Sequence, residues 1–295
     1  MPLSASPPAV QAYVANGAAG AQLVMKGKDG AANGFVLEAT GAGGGAVAGD
    51  LEYLGWTAGS TSADLRQSAR DAAFTGEQQP PIAIDNTFLG PLWQQPLKQG
   101  AELVIYSLTK YAGGHSDLVA GGVSGDQKLL NIIRPMRNTI GTICDPNTAW
   151  MLLRSLETLE LRMSRAGENA LKVCTFLRDH PKVEGLGYLG FISDPRQKYI
   201  FDRHCTGAGS TFSLFIKGGE AESFRFLDAL QIAKLAVSLG GTETLASAPA
   251  AMTHLSVPDA RKQALGITDN LVRISIGVEN ADDLIADFEE ALKAV

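Results

Sequence analysis

Three short apolar runs between Pro81 and Gly125, each ending in small or polar residues, constrain the fold of this chain more than any other feature. Pro81-Ile82-Ala83-Ile84 stops at Asp85-Asn86-Thr87. Leu103-Val104-Ile105-Tyr106 stops at Ser107-Leu108-Thr109-Lys110, and Leu118 to Val123 stops at Ser124-Gly125. Continuous apolar runs of about four to six residues suit strands buried on both faces, as in a parallel sheet. Ligands of open α/β sheets bind beyond the carboxyl ends of the strands. This reading puts Asp85, Ser107, Thr109 and Lys110 on one rim.

A lysine amine desolvated enough to shed its proton near neutral pH forms a Schiff base with an aldehyde cofactor. A carboxylate held against a pyridine nitrogen keeps that nitrogen protonated and makes the ring an electron sink. Hydroxyls beside backbone N–H groups hold a phosphate. Lys110, Asp85 and the Ser107/Thr109 pair together describe a pyridoxal 5'-phosphate site. Each residue also has a plainer reading. A lysine after a strand is usually solvated, an aspartate there usually forms a turn or cap, and the two hydroxyls can cap the next segment. Spacing alone leaves these readings in balance.

The stretches IDNTFLGPLWQQPLKQGAELVIYS and YSLTKYAGGHSDLVAGG tip it. They closely resemble the cofactor-lysine region of the pyridoxal-phosphate enzymes of Cys/Met metabolism, the trans-sulfuration family of cystathionine γ-synthase, cystathionine and methionine γ-lyases and O-acyl-homoserine sulfhydrylases. The resemblance implies that Lys110 binds the cofactor covalently, that Asp85 pairs with the pyridine nitrogen, and that Ser107 and Thr109 help hold phosphate. It also implies a fold-type-I α/β architecture: a large, mostly parallel-sheet domain, here incomplete, and a smaller C-terminal α/β domain.

The resemblance begins near Ser62 and continues to the C-terminus, so the chain divides into 1–61, 62–145 and 146–295. Residues 1–61 are crowded with Gly and Ala, with short apolar pieces at Ala21–Met25 and Gly34–Glu38. Gly41-Ala42-Gly43-Gly44-Gly45-Ala46 fits a dinucleotide-binding pattern. That pattern also needs a following helix and a second strand, and a glycine-rich loop or arm is the favoured reading. The segment shows none of the family's Gly-Met phosphate loop, ring-stacking aromatic, or Tyr and Arg donated across a subunit interface. The chain therefore reads as a family member whose N-terminal part is missing, replaced or garbled.

Further along, Ser62–Phe74 has a helical pattern, Gly76–Pro80 reads as a turn, and Gln127–Arg137 reads as a helix broken by Pro135. Asp145-Pro146 offers an N-cap and a proline at the first helical position. One long helix then runs toward Pro181, with Leu152, Leu156, Leu159, Met163, Ala166, Ala170, Val173 and Leu177 on one face. Ser210–Ile216 and Leu271–Ile276 read as strands, and Glu220–Leu230 and Ala281–Val295 as helices. Arg273 stands alone in its apolar strand and needs either a structural Asp/Glu partner or a ligand carboxylate. The resemblance implies the second, with Ser238 of Leu235–Gly241 near the same carboxylate. Met252-Thr253-His254 matches a loop near the family's active site, although His254 can equally be a buried structural histidine.

The formal net charge is -6 and no Lys/Arg cluster stands out, which argues against nucleic acid as a partner. No run approaches the ~20 apolar residues of a membrane span, and the first residues lack a signal-peptide pattern. Cys144, Cys174 and Cys205 are widely spaced, as suits free thiols in the cytoplasm. His115-Ser116-Asp117 lacks a third metal ligand, so no metal is expected. The expected function is elimination or replacement on sulfur-containing or homoserine-derived amino acids, by a cytoplasmic homodimer or homotetramer. The alternatives are a degenerate non-catalytic relative and, more remotely, a dinucleotide-binding protein.

Overall fold

The computed structural model describes residues 10–17, 20–27 and 81–295. Strands β1 (Val10–Gly17) and β2 (Gly20–Gly27) pair antiparallel, and β2 contains the apolar piece Ala21–Met25. The Ser62–Phe74 helix, the Gly76–Pro80 turn, the strand-like Gly34–Glu38 and the glycine run at Gly41–Ala46 lie outside the described residues.

The first of the predicted runs gives β3 (Ala83–Asp85), and the second gives β4 (Leu103–Ser107), parallel to it as expected. The connection between them carries a short helix α1 (Gly90–Trp93) and a 3-10 turn at Pro96–Gln99. The third run departs from expectation. Its strand, β5 (Gly121–Gly125), pairs antiparallel to β4, with Ser107 opposite Gly121 and Leu103 opposite Gly125. Leu108–Ala120 forms tight turns with no crossover helix, and a parallel return needs such a crossover. The sheet is therefore mixed. Burial on both faces holds only at Leu103 and Val104; β3 is half-exposed and β5 mostly exposed.

Helix α2 (Gln127–Ile140) runs through Pro135 instead of breaking there. No residue of α2 is buried, so water can satisfy the Asn131 carbonyl that Pro135 deprives of a donor. The single long helix is in fact two, α3 (Pro146–Leu156) and α4 (Leu159–Arg178). The Ser155 carbonyl is captured by the Thr158 N–H at 3.2 Å and by Arg162 Nη2 at 2.8 Å, and this ends α3 one turn early. Met163, Ala166, Ala170, Val173 and Leu177 face the core as predicted, whereas Leu156 is exposed. The Asp145 cap is present: its carboxylate accepts the Asn147 and Thr148 N–H groups at 3.0 and 3.1 Å.

The C-terminal sheet has the order β6 (Val183–Gly187), β7 (Thr211–Ile216), β10 (Leu271–Ser275), β9 (Leu245–Ser247), β8 (Lys234–Leu235). All its pairs are antiparallel except β8 with β9. Alternation along β7 buries Phe212, Leu214 and Ile216 and leaves the intervening side chains half-buried. These pack with Val272 and Ile274 of β10 against Leu177 of α4, Phe226 of α6 (Glu220–Ala229), and Leu284 and Phe288 of α8 (Ala281–Leu292). Helices α5 (Pro195–His204) and α7 (Asp259–Ala264) complete the set. The buried Asp287 carboxylate accepts the N–H groups of Gln231, Ile232 and Ala233 at 2.7–3.0 Å, holding the turn that leads into β8.

Candidate active site

Strands β3 and β4 run parallel with Asp85 opposite Ile105, so both carboxyl ends leave the sheet on one edge. Asp85 closes β3, and its Oδ1 accepts the Thr87 N–H at 2.9 Å. The Thr87 hydroxyl in turn accepts the Ser107 N–H at 2.8 Å. The buried Thr87 thus ties two of the predicted residues together across neighbouring strands. Sequence reasoning passed it over; the signal was its place in Asp85-Asn86-Thr87. Asn86 is buried as well, and its Nδ2 donates to the Gly90 and Gln94 carbonyls at 2.8 and 3.0 Å.

The two predicted phosphate hydroxyls differ. The Thr109 hydroxyl accepts the Ala120 N–H at 3.0 Å and donates to the Ala120 carbonyl at 3.3 Å, pinning the start of the lysine turn to the approach to β5. The Ser107 hydroxyl, on the half-buried end of β4, makes no hydrogen bond among the described residues.

Lys110 follows in a tight turn, its N–H donating to the Ser107 carbonyl at 3.1 Å and its own carbonyl accepting from Gly114 at 2.7 Å. Its Nζ donates to Ser238 Oγ at 3.0 Å, across 128 residues of sequence. Burial first, and the Arg273 guanidinium second, lower the pKa of the Lys110 amine. The ammonium form loses water and faces another cation, so both causes favour the free base.

Arg273 sits mid-strand in β10, opposite Ser213 on β7 and Ser247 on β9. Its Nη2 donates to the carbonyls of Val237 and Ser238 at 2.7 and 3.1 Å. No carboxylate lies within ion-pair distance of it among the described residues. The structural Arg–Asp/Glu alternative is therefore not what is seen. Cross-strand partners share a face, and the hydroxyl of Ser247 is buried without a hydrogen-bond partner. His254 is half-buried, with Nδ1 2.8 Å from the Thr253 hydroxyl. Burial first, and then Arg273, lower its pKa, so it stands within the field of the same cation.

Tyr111, next to Lys110, is buried edge-on to Trp93, with its hydroxyl 2.7 Å from Ser210 Oγ. Gly240 (φ +73°) comes so close that a Cβ there would lie 2.8 Å from the Tyr111 nitrogen. The loop after Ser238 can approach the lysine turn this closely only because it carries no side chain at that point.

The donor set fits pyridoxal phosphate: an amine biased toward its free base, a carboxylate on the same rim, and a hydroxyl without a protein partner among the described residues. An unpaired guanidinium beside Ser238, which is bonded to Lys110, suits the carboxylate of an amino acid. Among the described residues no cluster of His, Cys, Asp and Glu could hold a metal ion, and no helix is long and apolar enough to cross a membrane.

A family model described as Cys/Met metabolism PLP-dependent enzyme matches residues 62–293. The chain is 42% identical over 214 residues to cystathionine gamma-lyase of Sus scrofa, covering 72% of this chain and 53% of that protein. It is 41% identical over 216 residues to L-methionine gamma-lyase of Fusobacterium nucleatum subsp. polymorphum, covering 72% of this chain and 54% of that one. The chain thus spans about half the length of the curated relatives it matches. Among solved structures, cystathionine gamma-lyase from Lactobacillus plantarum complexed with L-serine superposes with a TM-score of 0.72 at 35% identity, over 79% of this chain and 60% of that one. Cystathionine gamma synthase from Xanthomonas oryzae pv. oryzae in complex with aminoacrylate and cysteine gives 0.73 at 35% identity, over 80% and 59%.

Proposed function

Because the chain belongs to the Cys/Met metabolism PLP-dependent enzymes, we propose that it binds pyridoxal phosphate through Lys110 and carries out elimination or replacement on sulfur-containing or homoserine-derived amino acids. The observation that carries this reading is the Lys110 amine, half-buried, bonded to Ser238 and depressed in pKa on a rim it shares with Asp85.

When bound, the cofactor supplies an aldehyde for an amine to condense with and a ring that draws electrons from the α-carbon of an amino acid. With its amine biased toward the free base, Lys110 would accept the substrate's α-proton at Nζ. Ser238 Oγ holds that nitrogen at 3.0 Å. The Asp85 carboxylate holds a proton on the pyridine nitrogen, oriented by the Thr87 N–H. The Ser107 hydroxyl is available to a phosphate oxygen. The Thr109 hydroxyl, whose bond to the Ala120 carbonyl is long at 3.3 Å, would be the second group to hold phosphate. The Arg273 guanidinium takes the substrate carboxylate, which gives it the anion it lacks.

In this reading residues 62–145 belong to the cofactor domain and 146–295 to the linking helices and small domain. The chain acts in the cytoplasm as a homodimer or homotetramer. Exposed Trp150, Leu153 and Leu161 along α3 and α4 support such assembly.

The test is titration of the purified chain with pyridoxal phosphate, borohydride reduction and peptide mapping. An absorbance band near ~420 nm and a label confined to Lys110 are expected. No band, or label spread over surface lysines, overturns the assignment and leaves a non-catalytic relative.

A further inference from the structure

Arg162 is a half-buried cation with no anion beside it among the described residues. Its guanidinium is spent on neutral acceptors instead. Nη1 donates to the Tyr111 carbonyl at 2.7 Å, Nη2 to the Ser155 carbonyl at 2.8 Å and, more weakly, to the Ala112 carbonyl at 3.5 Å. Nε donates to the Thr158 hydroxyl at 3.1 Å. Burying a cation costs desolvation free energy that such bonds only partly offset, so the fork geometry must meet a need that a neutral side chain would not.

The acceptors show the need. The Tyr111 and Ala112 carbonyls belong to the turn immediately after Lys110, and the Ser155 carbonyl to the end of α3. A planar guanidinium is the one side chain that can bridge such divergent acceptors at once, and a helix C-terminus favours a cation. The turn lies hard against it: a Cβ on Gly114 (φ +69°) would sit 1.8 Å from Nη1. On its other side, Tyr111 is fixed by Ser210 and Gly240.

We propose that Arg162 is a positioning residue for Lys110, holding the 110–114 turn so that Nζ stays seated on Ser238 and away from water. The proposal rests on the reading of Lys110 as the site's reactive amine. Arg162 acts through the backbone and not through its charge: Arg273, not Arg162, is the cation that depresses the Lys110 amine.

The experiment needs no bound cofactor. The unsubstituted chain and its Arg162→Gln and Arg162→Lys variants are labelled with a trace amine acylating reagent across pH, and Lys110 is followed by peptide mass spectrometry against the remaining lysines. In the unsubstituted chain Lys110 is expected to titrate below the other lysines. In Arg162→Gln its midpoint rises by about one pH unit, a roughly tenfold loss of labelling below the midpoint. Arg162→Lys keeps the charge but not the fork, and gives a rise intermediate between the two. If Lys110 titrates like the other lysines in the unsubstituted chain, both the proposal and the reading of Lys110 fall. If it is distinct there and unchanged in both variants, Arg162 is structural only and the proposal alone falls. Where Arg162→Gln does not fold, the Lys variant decides by the same criterion.

Discussion

The two sheets that meet at Lys110 are held together by different means. The C-terminal sheet is covered by α4, α6 and α8, and Leu214, Ile216, Val272 and Ile274 are wholly buried between. The three-stranded sheet that carries the proposed site has few buried side chains, chiefly Leu103 and Val104, with β5 largely exposed. Its rim is organised by polar tethers that cross long sequence distances: Lys110 to Ser238, Arg162 to Tyr111, Thr87 to Ser107. Apolar burial gives the first sheet stability with little directional demand. Directional bonds give the second a defined geometry for the candidate site residues at little stability. A change in one sheet should therefore move stability and a change in the other should move chemistry.

The sharpest way to break this contrast is Lys110→Ala. It should abolish borohydride-trapped cofactor altogether while leaving the unfolding midpoint nearly unchanged; label retained elsewhere at the original stoichiometry would refute the assignment. In the opposite sheet, Ile274→Ala should cost about 2–5 kcal/mol in denaturant unfolding. The half-exposed Val123→Ala in β5 should cost under about 1 kcal/mol. Equal losses at the two positions would mean that the sheets are not differently held.

Arg273→Ala should weaken binding of an amino acid through its carboxylate by about 1.5–3 kcal/mol, the range for a charged hydrogen bond. Titration with the amino acid and with its amide separates loss of the carboxylate contact from general damage, since only the acid should weaken. The same variant should raise the pH at which cofactor capture is half-maximal, because one of the two causes lowering the Lys110 amine is gone. In the unsubstituted chain that midpoint should fall below the ordinary 10.5. The sign for stability follows. The unfolded chain binds the extra proton between the lowered pKa and 10.5, so the Lys110 contribution to stability rises with pH across that window. Burial raises the pKa values of Tyr111, Cys174, Tyr188 and Cys205, which act with the opposite sign there. The measurement is therefore the difference between the unsubstituted chain and Lys110→Ala; a difference that falls with pH would contradict the burial of Lys110. Pro135→Ala in exposed α2 should give a gain of about 1 kcal/mol from the restored N–H, with no change in cofactor capture.

Much of the C-terminal half was legible because its causes are local. Asp145 caps α3 with N–H groups two and three residues on. Alternation in Thr211–Ile216 needs only the two-residue period of a strand. The candidate residues were legible as a motif, which named Lys110, Asp85, Ser107, Thr109, Ser238 and Arg273 without saying what each touches. The failures share a cause. Apolar runs specify burial but not strand direction, so the antiparallel β5 awaited the short turns of Leu108–Ala120. Periodicity ran through Glu157-Thr158 because it cannot register a carbonyl captured by Arg162.

By itself the sequence determined the family, the α/β class, and the cap and alternation signals, and it named candidate side chains for an aldehyde cofactor. Only the tertiary structure decided that Ser238 meets Lys110, that Arg273 has no acidic partner among the described residues, that Asp287 gathers three distant N–H groups, and that Arg162 lies under the lysine turn. The physical reason is one of range. Caps and strand periods are settled within a few residues of backbone, whereas the pairing of a buried donor with an acceptor tens to a hundred residues away is chosen by the packing of the whole fold.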